Sequence, residues 1–345
     1  MLRWKHRPTG SNWGDFGDDD QLGRLNLLTP KKVLEGILEV SEGRTFCLSL
    51  PLNLPGGQVL TGTRQPPRLF PSNPDGRPRF NYITEPGKAI DIECDDGVVM
   101  WLQYSTQWDS LSHIGALFDS NGDGTPEIVY YNGFRAEQDI RVYPENAGPS
   151  GGDDGTGGAH ALDIATMAAH GVQGRGVMID LARYYGNSPG PHAVGFEELM
   201  RAAALTAAHI EPGDMLCLYT GFSDLLLQMA GRPDPTALRA GTIALDGRDP
   251  KLLDWITHSG VAALISDNFA VELFPSGPPD PGDLTSAPLH HHCIFKLGIP
   301  LGELWQLNEL ALWLRQARRC RFLLTAPPLR LPRAVGSPTS PIATV

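Results

Sequence analysis

The chain has 345 residues, 41% of them hydrophobic, enough to bury a sizeable core in one large domain or two. Its formal charge of -11 argues against a nucleic-acid partner or an anionic membrane surface, either of which needs a basic patch. The start, Met1-Leu2-Arg3-Trp4-Lys5-His6, lacks the apolar core of a signal peptide, and no apolar run approaches the ~20 residues of a spanning helix, so a soluble cytoplasmic protein is expected.

Taken in chain order, Thr29 as an N-cap with Pro30 behind it predicts a helix to about residue 40. β-branched and aromatic runs predict strands over 45–50 and 98–106, with residues 52–95 between them as an irregular excursion. A helix over 162–169 should stop at His170-Gly171 and lead into a buried strand over 176–181. The same grammar returns with helix 196–208 and strand 215–220, helix 250–258 and strand 261–266, and helix 303–319 and strand 321–325. Repeated helix and strand alternation argues an α/β protein. The 39 Gly and 30 Pro are spread as turns and no linker separates two cores, so residues 1–345 read as one domain with long loops and an amino-terminal arm over 1–28.

The stretch Gln103-Tyr104-Ser105-Thr106-Gln107-Trp108-Asp109-Ser110-Leu111-Ser112-His113 is the most informative. In extended backbone Gln103, Ser105, Gln107 and Asp109 share one face, with Leu102, Tyr104, Thr106 and Trp108 on the other. The bland alternative is a half-buried strand whose polar side meets water. The segment resembles the signature of the cyclase family of metal-dependent hydrolases, which includes bacterial kynurenine formamidase and isatin hydrolase: His-x-Gly-Thr-His-x-Asp-x-Pro-x-His. Thr106, Asp109 and His113 match in register, while Gln103 and Gln107 stand at the two ligand histidines, Ser105 replaces Gly and Leu111 replaces Pro. A Gln carbonyl oxygen is neutral and suits a hard cation better than a zinc site does.

A second block, Leu289-His290-His291-His292-Cys293 followed by Gly298-Ile299-Pro300-Leu301-Gly302-Glu303, resembles the family's late His and Glu. His291 and Glu303, twelve apart, take those roles by resemblance. On the residues alone, the three histidines could be a cluster with ordinary hydrogen bonds, and Glu303 an acid in the first turn of a helix. The stretches Asn12-Trp13-Gly14 with Leu22 to Pro30, His170 to Val177, and Gly336-Ser337-Pro338 extend the resemblance over most of the chain.

The resemblance implies the swivelling β/β/α fold and a homo-oligomer, a dimer or tetramer. It implies a divalent ion, manganese or zinc, held by Asp109 with Gln103, Gln107, His291 and Glu303 as further ligands. The activity implied is hydrolysis of a C–N or C–O bond in a small molecule such as an N-formyl amide, lactam, imide or lactone. His113 would be the general base, Asp109 and His291 its catalytic partners, and Trp108 and Tyr104 would wall the substrate pocket. Trp101 and Trp305 read as core aromatics, whereas Trp13 and Phe16 on the arm could reach a neighbouring subunit. Two alternatives stay open: a metal-free acid–base lyase, isomerase or cyclase, and a non-catalytic small-molecule-binding protein.

Four other features are set aside. Asp119-Ser120-Asn121-Gly122-Asp123-Gly124 copies half of a calcium loop, but position twelve is Tyr130, so a turn is expected. The Gly-rich 151–158 carries two acids and no following Lys, unlike a phosphate loop. Gly221-Phe222-Ser223-Asp224 lacks the second glycine of a nucleophile elbow. Cys47, Cys94, Cys217, Cys293 and Cys320 contain no Cys-x-x-Cys pair and read as reduced thiols, and Cys293 reads as buried.

Overall fold

Seven consecutive buried residues, 174–180, mark the strand at the centre of the fold, in the computed structural model that describes residues 3–145, 147–148, 155–186, 188, 190–279 and 281–345. Met1, Leu2 and the 151–154 part of the Gly-rich loop lie outside the described residues. Nine strands make one mixed sheet: β1 Thr45–Cys47, β2 Gln107–Asp109, β3 Gln173–Asp180, β4 Met215–Tyr219, β5 Ala263–Ser266, β6 Leu301–Glu303, β7 Arg321–Thr325, β8 Gly336–Pro338 and β9 Ile342–Thr344. Their spatial order is β1-β9-β7-β3-β4-β5-β6-β2-β8. β3 to β6 run parallel, and every pair outside that block is antiparallel.

Alternate side chains of the parallel strands enter two cores, as the period-2 geometry of a strand requires. Ile179, Leu218 and Leu264 face one, with Trp13, Ile294 and Phe295. Met178, Cys217 and Ile265 face the other, with Trp108, Trp305 and Phe322. Helices Ile164–His170, Phe196–Leu205, Pro250–Ser259 and Asn308–Ala317 cover these faces, so the chain is a mixed α/β domain whose large sheet curls. No helix among the described residues is long and apolar enough to cross a membrane.

Most expected elements are present, and the misplacements have physical causes. Helix Pro30–Ile37 starts as expected, with the Thr29 hydroxyl accepting from the Lys32 N–H. The strand expected over 98–106 is broken: Asp96–Val99 pairs with Arg68–Pro71 in a separate hairpin, turns occupy 102–105, and β2 begins only at Gln107. The excursion over 52–95 therefore holds strands of its own, including Tyr82–Ile83 paired with Ile92–Glu93. Glu303 does not open a helix. It ends β6, which is bonded on both sides by β5 and β2, and the helix starts at Asn308; sheet pairing here overrides local propensity.

The arm folds back onto its own chain. Trp13 is fully buried, donates its indole N–H to the Phe295 carbonyl at 2.8 Å and stacks edge-on against that ring, so it is not free to reach a neighbour. The Asp119 carboxylate accepts backbone N–H groups from Gly122, Asp123 and Gly124, closing the expected turn between strands Ala116–Phe118 and Glu127–Val129. Ser223 is fully buried with its hydroxyl on Asp267, and burial raises the Cys217 and Cys293 thiols far above their usual range.

The amino-terminal helix is clamped to the sheet by charge. Asp214 has no exposed surface and meets Arg175 through two hydrogen bonds, 2.8 and 3.1 Å, and Lys32 at 3.1 Å. Arg175→Ala removes the bidentate partner of a buried carboxylate, and we expect a loss of ~3 kcal/mol of unfolding free energy by urea titration. A loss under ~1 kcal/mol would mean that Lys32 and the Glu211 backbone N–H satisfy Asp214 without it.

Candidate metal centre

β2 is only three residues long, yet it places two polar side chains with precision because it is held on both edges. Gln107 lies opposite Glu303 of β6 and Pro338 of β8, and Asp109 lies opposite Leu301 and Gly336. The period-2 rule puts Gln107 and Asp109 on one face and Trp108 on the other. There Trp108 stacks edge-on against Trp305 at 5.1 Å and donates its N–H to the Ala326 carbonyl. Across the strand pair, the Gln107 amide donates to Glu303 Oε2 at 3.2 Å and, at the 3.5 Å limit, to Asp109 Oδ1.

The third member comes from a helix. Pro288–His290 runs into a π-helical turn, His291–Lys296, and His290, the last residue of the α-helical part, faces β6. His290 Nε2 lies 3.2 Å from Glu303 Oε1 and 4.0 Å from Asp109 Oδ2. Its Nδ1 lies 2.7 Å from Glu272 Oε1, and the same carboxylate accepts the backbone N–H groups of His290 and Leu289, each at 3.0 Å. Glu272 thus fixes both the ring and the helix start. It follows two non-glycine residues in left-handed backbone, Ala270 (φ 73) and Val271 (φ 55), a costly conformation that recurs at functional sites.

Asp109, His290 and Glu303 each offer a ligand atom, all within 4.8 Å of one another, and all three residues are buried. Burial, reinforced by the Glu303 charge, pushes the Asp109 carboxyl upward against the pull of His113 and His290. For Glu303 burial also pushes upward, but the His290 hydrogen bond and charge outweigh it and the net shift is downward. Burial would lower His290, yet Glu272 and Glu303 raise it to about 10. Two buried oxygens in this group, Asp109 Oδ2 and Gln107 Oε1, have no hydrogen-bond partner. Buried acceptors without donors are costly, and a cation would satisfy them.

His113 stands beside this group. Its Nε2 is 3.8 Å from Asp109 Oδ1, and its Nδ1 is 3.1 Å from the Gln103 amide. Gln103 is held by its backbone oxygen, which accepts from Arg64 Nη1 at 2.6 Å, and by Gly336, where an added Cβ would lie 2.6 Å from the amide nitrogen. Arg64 acts electrostatically on both Asp109 and Glu303, lowering each carboxyl.

Several expected roles move. His291 is not in the group: its ring lies 4.9 Å from Phe295, and burial together with Lys296 lowers it to about 4. Successive helical residues diverge by ~100°, so one histidine of the three can meet Glu303, and Glu272 selects His290. His292 bonds Thr257 at 2.9 Å. Trp108 is fully buried in the core, and Tyr104 walls a narrow cleft while its hydroxyl accepts from the Gly56 N–H and donates to the Gly57 carbonyl, anchoring the loop ahead of Arg64. Thr106, which matches the family pattern, is structural: it accepts from the Leu50 N–H and donates to the Leu304 carbonyl. The Gln103 amide is engaged with His113 Nδ1.

Residues 48–273 match the cyclase family. The chain belongs to that family. The match includes β2, His113 and Glu272 and stops before His290 and Glu303, which the fold brings to the same place. A crystal structure described as a novel cyclase is 30% identical to this chain, with 97% of each chain covered and a TM-score of 0.74. Isatin hydrolase A from Labrenzia aggregata, bound to benzyl benzoate, is 14% identical over 87% of this chain and 93% of its own, with a TM-score of 0.53. The Ralstonia solanacearum isatin hydrolase A is 15% identical over 87% and 91%, also at 0.53, and both have the same fold. Among curated protein sequences none matches.

The choice of His290 over His291 is testable by metal stoichiometry. His290→Ala should lower the bound divalent metal per chain at least tenfold, whereas His291→Ala should leave it unchanged. The reverse pattern would return the ligand role to His291.

Proposed function

We propose that this cyclase-family protein is a metal-dependent hydrolase of a C–N or C–O bond in a small cyclic or acylated compound, an N-formyl amide, lactam, imide or lactone. The observation that carries the reading is the pair of unpartnered oxygens, Asp109 Oδ2 and Gln107 Oε1, within a buried group of two carboxylates and one imidazole. The isatin hydrolases of similar fold support the reading at low identity.

The donor set fits a divalent ion. Asp109, His290 and Glu303 would hold it, with Gln107 Oε1 as a fourth donor, and Glu272 would orient His290 as the outer carboxylate of a carboxylate–histidine–metal relay. Three oxygens to one nitrogen suits manganese better than zinc. A bound ion would polarise a substrate carbonyl and lower the pKa of water beside it.

The protein's own groups do the rest. His113 has about a fifth of its side chain exposed, and is therefore open to substrate, unlike the ligands. For its Nε2 to take a proton from water, Nδ1 must carry one, so the Gln103 amide, whose nitrogen lies against Nδ1 here, must turn to present its oxygen there. Asp109, 3.8 Å from Nε2, then stabilises the imidazolium, which returns the proton to the leaving group. Arg64 supplies a fixed positive charge near a developing oxyanion.

A metal-free acid–base enzyme is the second reading. It is favoured by Gln at both positions where the family signature has histidine, and by the raised His290, whose imidazolium alone could balance Glu272 and Glu303. Elemental analysis of protein purified without chelators separates the two, with about one manganese or zinc per chain expected for the hydrolase. His113→Ala should keep that metal and lose at least ~100-fold in turnover. No metal after incubation with either ion, or full turnover in His113→Ala, would contradict the hydrolase.

A further inference from the structure

A cavity of about 450 Å³ lies beyond the metal centre, walled by Val59, Leu60, Phe222, Leu238 and Phe269, with Arg239 at its rim. Its position follows from topology. Phe222 comes shortly after β4 and Phe269 after β5, at the carboxyl ends of two parallel strands, and Glu303 ends the neighbouring parallel strand β6. Ligands of open α/β sheets bind along that edge.

Two further observations tie the cavity to the centre. Leu304, next to Glu303, packs in one apolar cluster with Phe222 and Leu238, and Val59, Leu60 and Phe269 pack against it. Val59, Leu60 and Phe269 also wall a narrow cleft whose other side is Arg64, Gln103 and Tyr104. Gln103 in turn touches His113. One apolar wall thus runs from the proposed base to the cavity.

The lining is chemically one-sided. The walls are mostly apolar, Thr242 and Arg239 are the polar groups on them, and the Arg239 guanidinium has no hydrogen-bond or ion-pair partner among the described residues. The volume lies within the range of small-molecule pockets.

We propose that this cavity takes the body of the substrate, a ring or acyl chain with an anionic group at its far end facing Arg239, while the scissile carbonyl meets Asp109, His290 and Glu303. The inference rests on the hydrolase reading for the head group alone. Val59, Leu60, Leu238 and Phe269 then set specificity for the body, and Arg239 for its charge.

The test has two arms on the full-length protein. In the first, manganese-loaded enzyme is offered p-nitrophenyl esters from acetate to hexanoate. Wild type should gain ~3-fold in kcat/KM per methylene, and Leu238→Trp, which fills the cavity, should flatten the series. Turnover with equal kcat/KM along the series would overturn the cavity assignment and leave the hydrolase reading standing.

In the second arm, metal-stripped protein is titrated with 8-anilinonaphthalene-1-sulfonate, an apolar anion. About one site per chain is expected, weakened at least tenfold in Leu238→Trp and about fivefold in Arg239→Glu. Arg239 is exposed, so its variant keeps the test valid if Leu238→Trp does not fold. Probe binding that responds to the variants in a protein that takes up no metal and turns over no ester would overturn the hydrolase reading and support the cavity. Titrations indifferent to both substitutions would overturn the inference.

Discussion

Glu272, His290 and Glu303 form a single chain of contacts, carboxylate to imidazole to carboxylate, and Asp109 closes on it from β2. Three buried acids around one ring are tolerable only if positive charge is supplied, because an isolated carboxylate pays heavily for leaving water. Within the protein the positive charge comes from the raised His290, with Arg64 at the margin. Asp109 Oδ2 and Gln107 Oε1 have no hydrogen-bond partner among the described residues. An excess of buried acceptors is the arrangement that a cation would relieve.

Everything around the centre serves to keep those acceptors from relaxing apart. β6 and β8 grip β2 from either side, so Gln107 and Glu303 meet across the strand pair without choice. Trp108 and Trp305 fill the opposite face and prevent the strand from rotating. The arm supports the helix side: Asn12 and Arg24 take the backbone oxygens of Lys296 and Gly298, and Gly23 touches Gly298 so closely that an added Cβ would fall 2.1 Å from its carbonyl oxygen. A site made of three segments distant in sequence is thereby held by backbone contacts, the least adjustable kind.

The sequence made some of this legible and hid the rest for identifiable reasons. Alternation in 107–109 correctly paired Gln107 with Asp109, because period 2 needs no knowledge of neighbours. The helix–strand alternation correctly implied an α/β fold. Extending the same alternation back to Gln103 did not hold, since the 96–99 segment pairs in its own hairpin with 68–71 and the chain turns before β2. Choosing His291 over His290 followed twelve-residue spacing, whereas the contact with Glu272, which exists only in the folded chain, brings His290 to Glu303. Nothing local marks Glu272 or Arg64; their roles exist only once the chain has folded, and so does the placement of Glu303 at the end of a strand bonded on both sides.

Whether Asp109, His290 and Glu303 share one divalent ion is open to anomalous diffraction from crystals grown with manganese, without a substrate. A single strong peak is expected at bonding distance from Asp109, Glu303 and His290 Nε2, with Gln107 Oε1 turned toward it. A peak at His291 or His292, or none at saturating manganese, would rule the shared ion out.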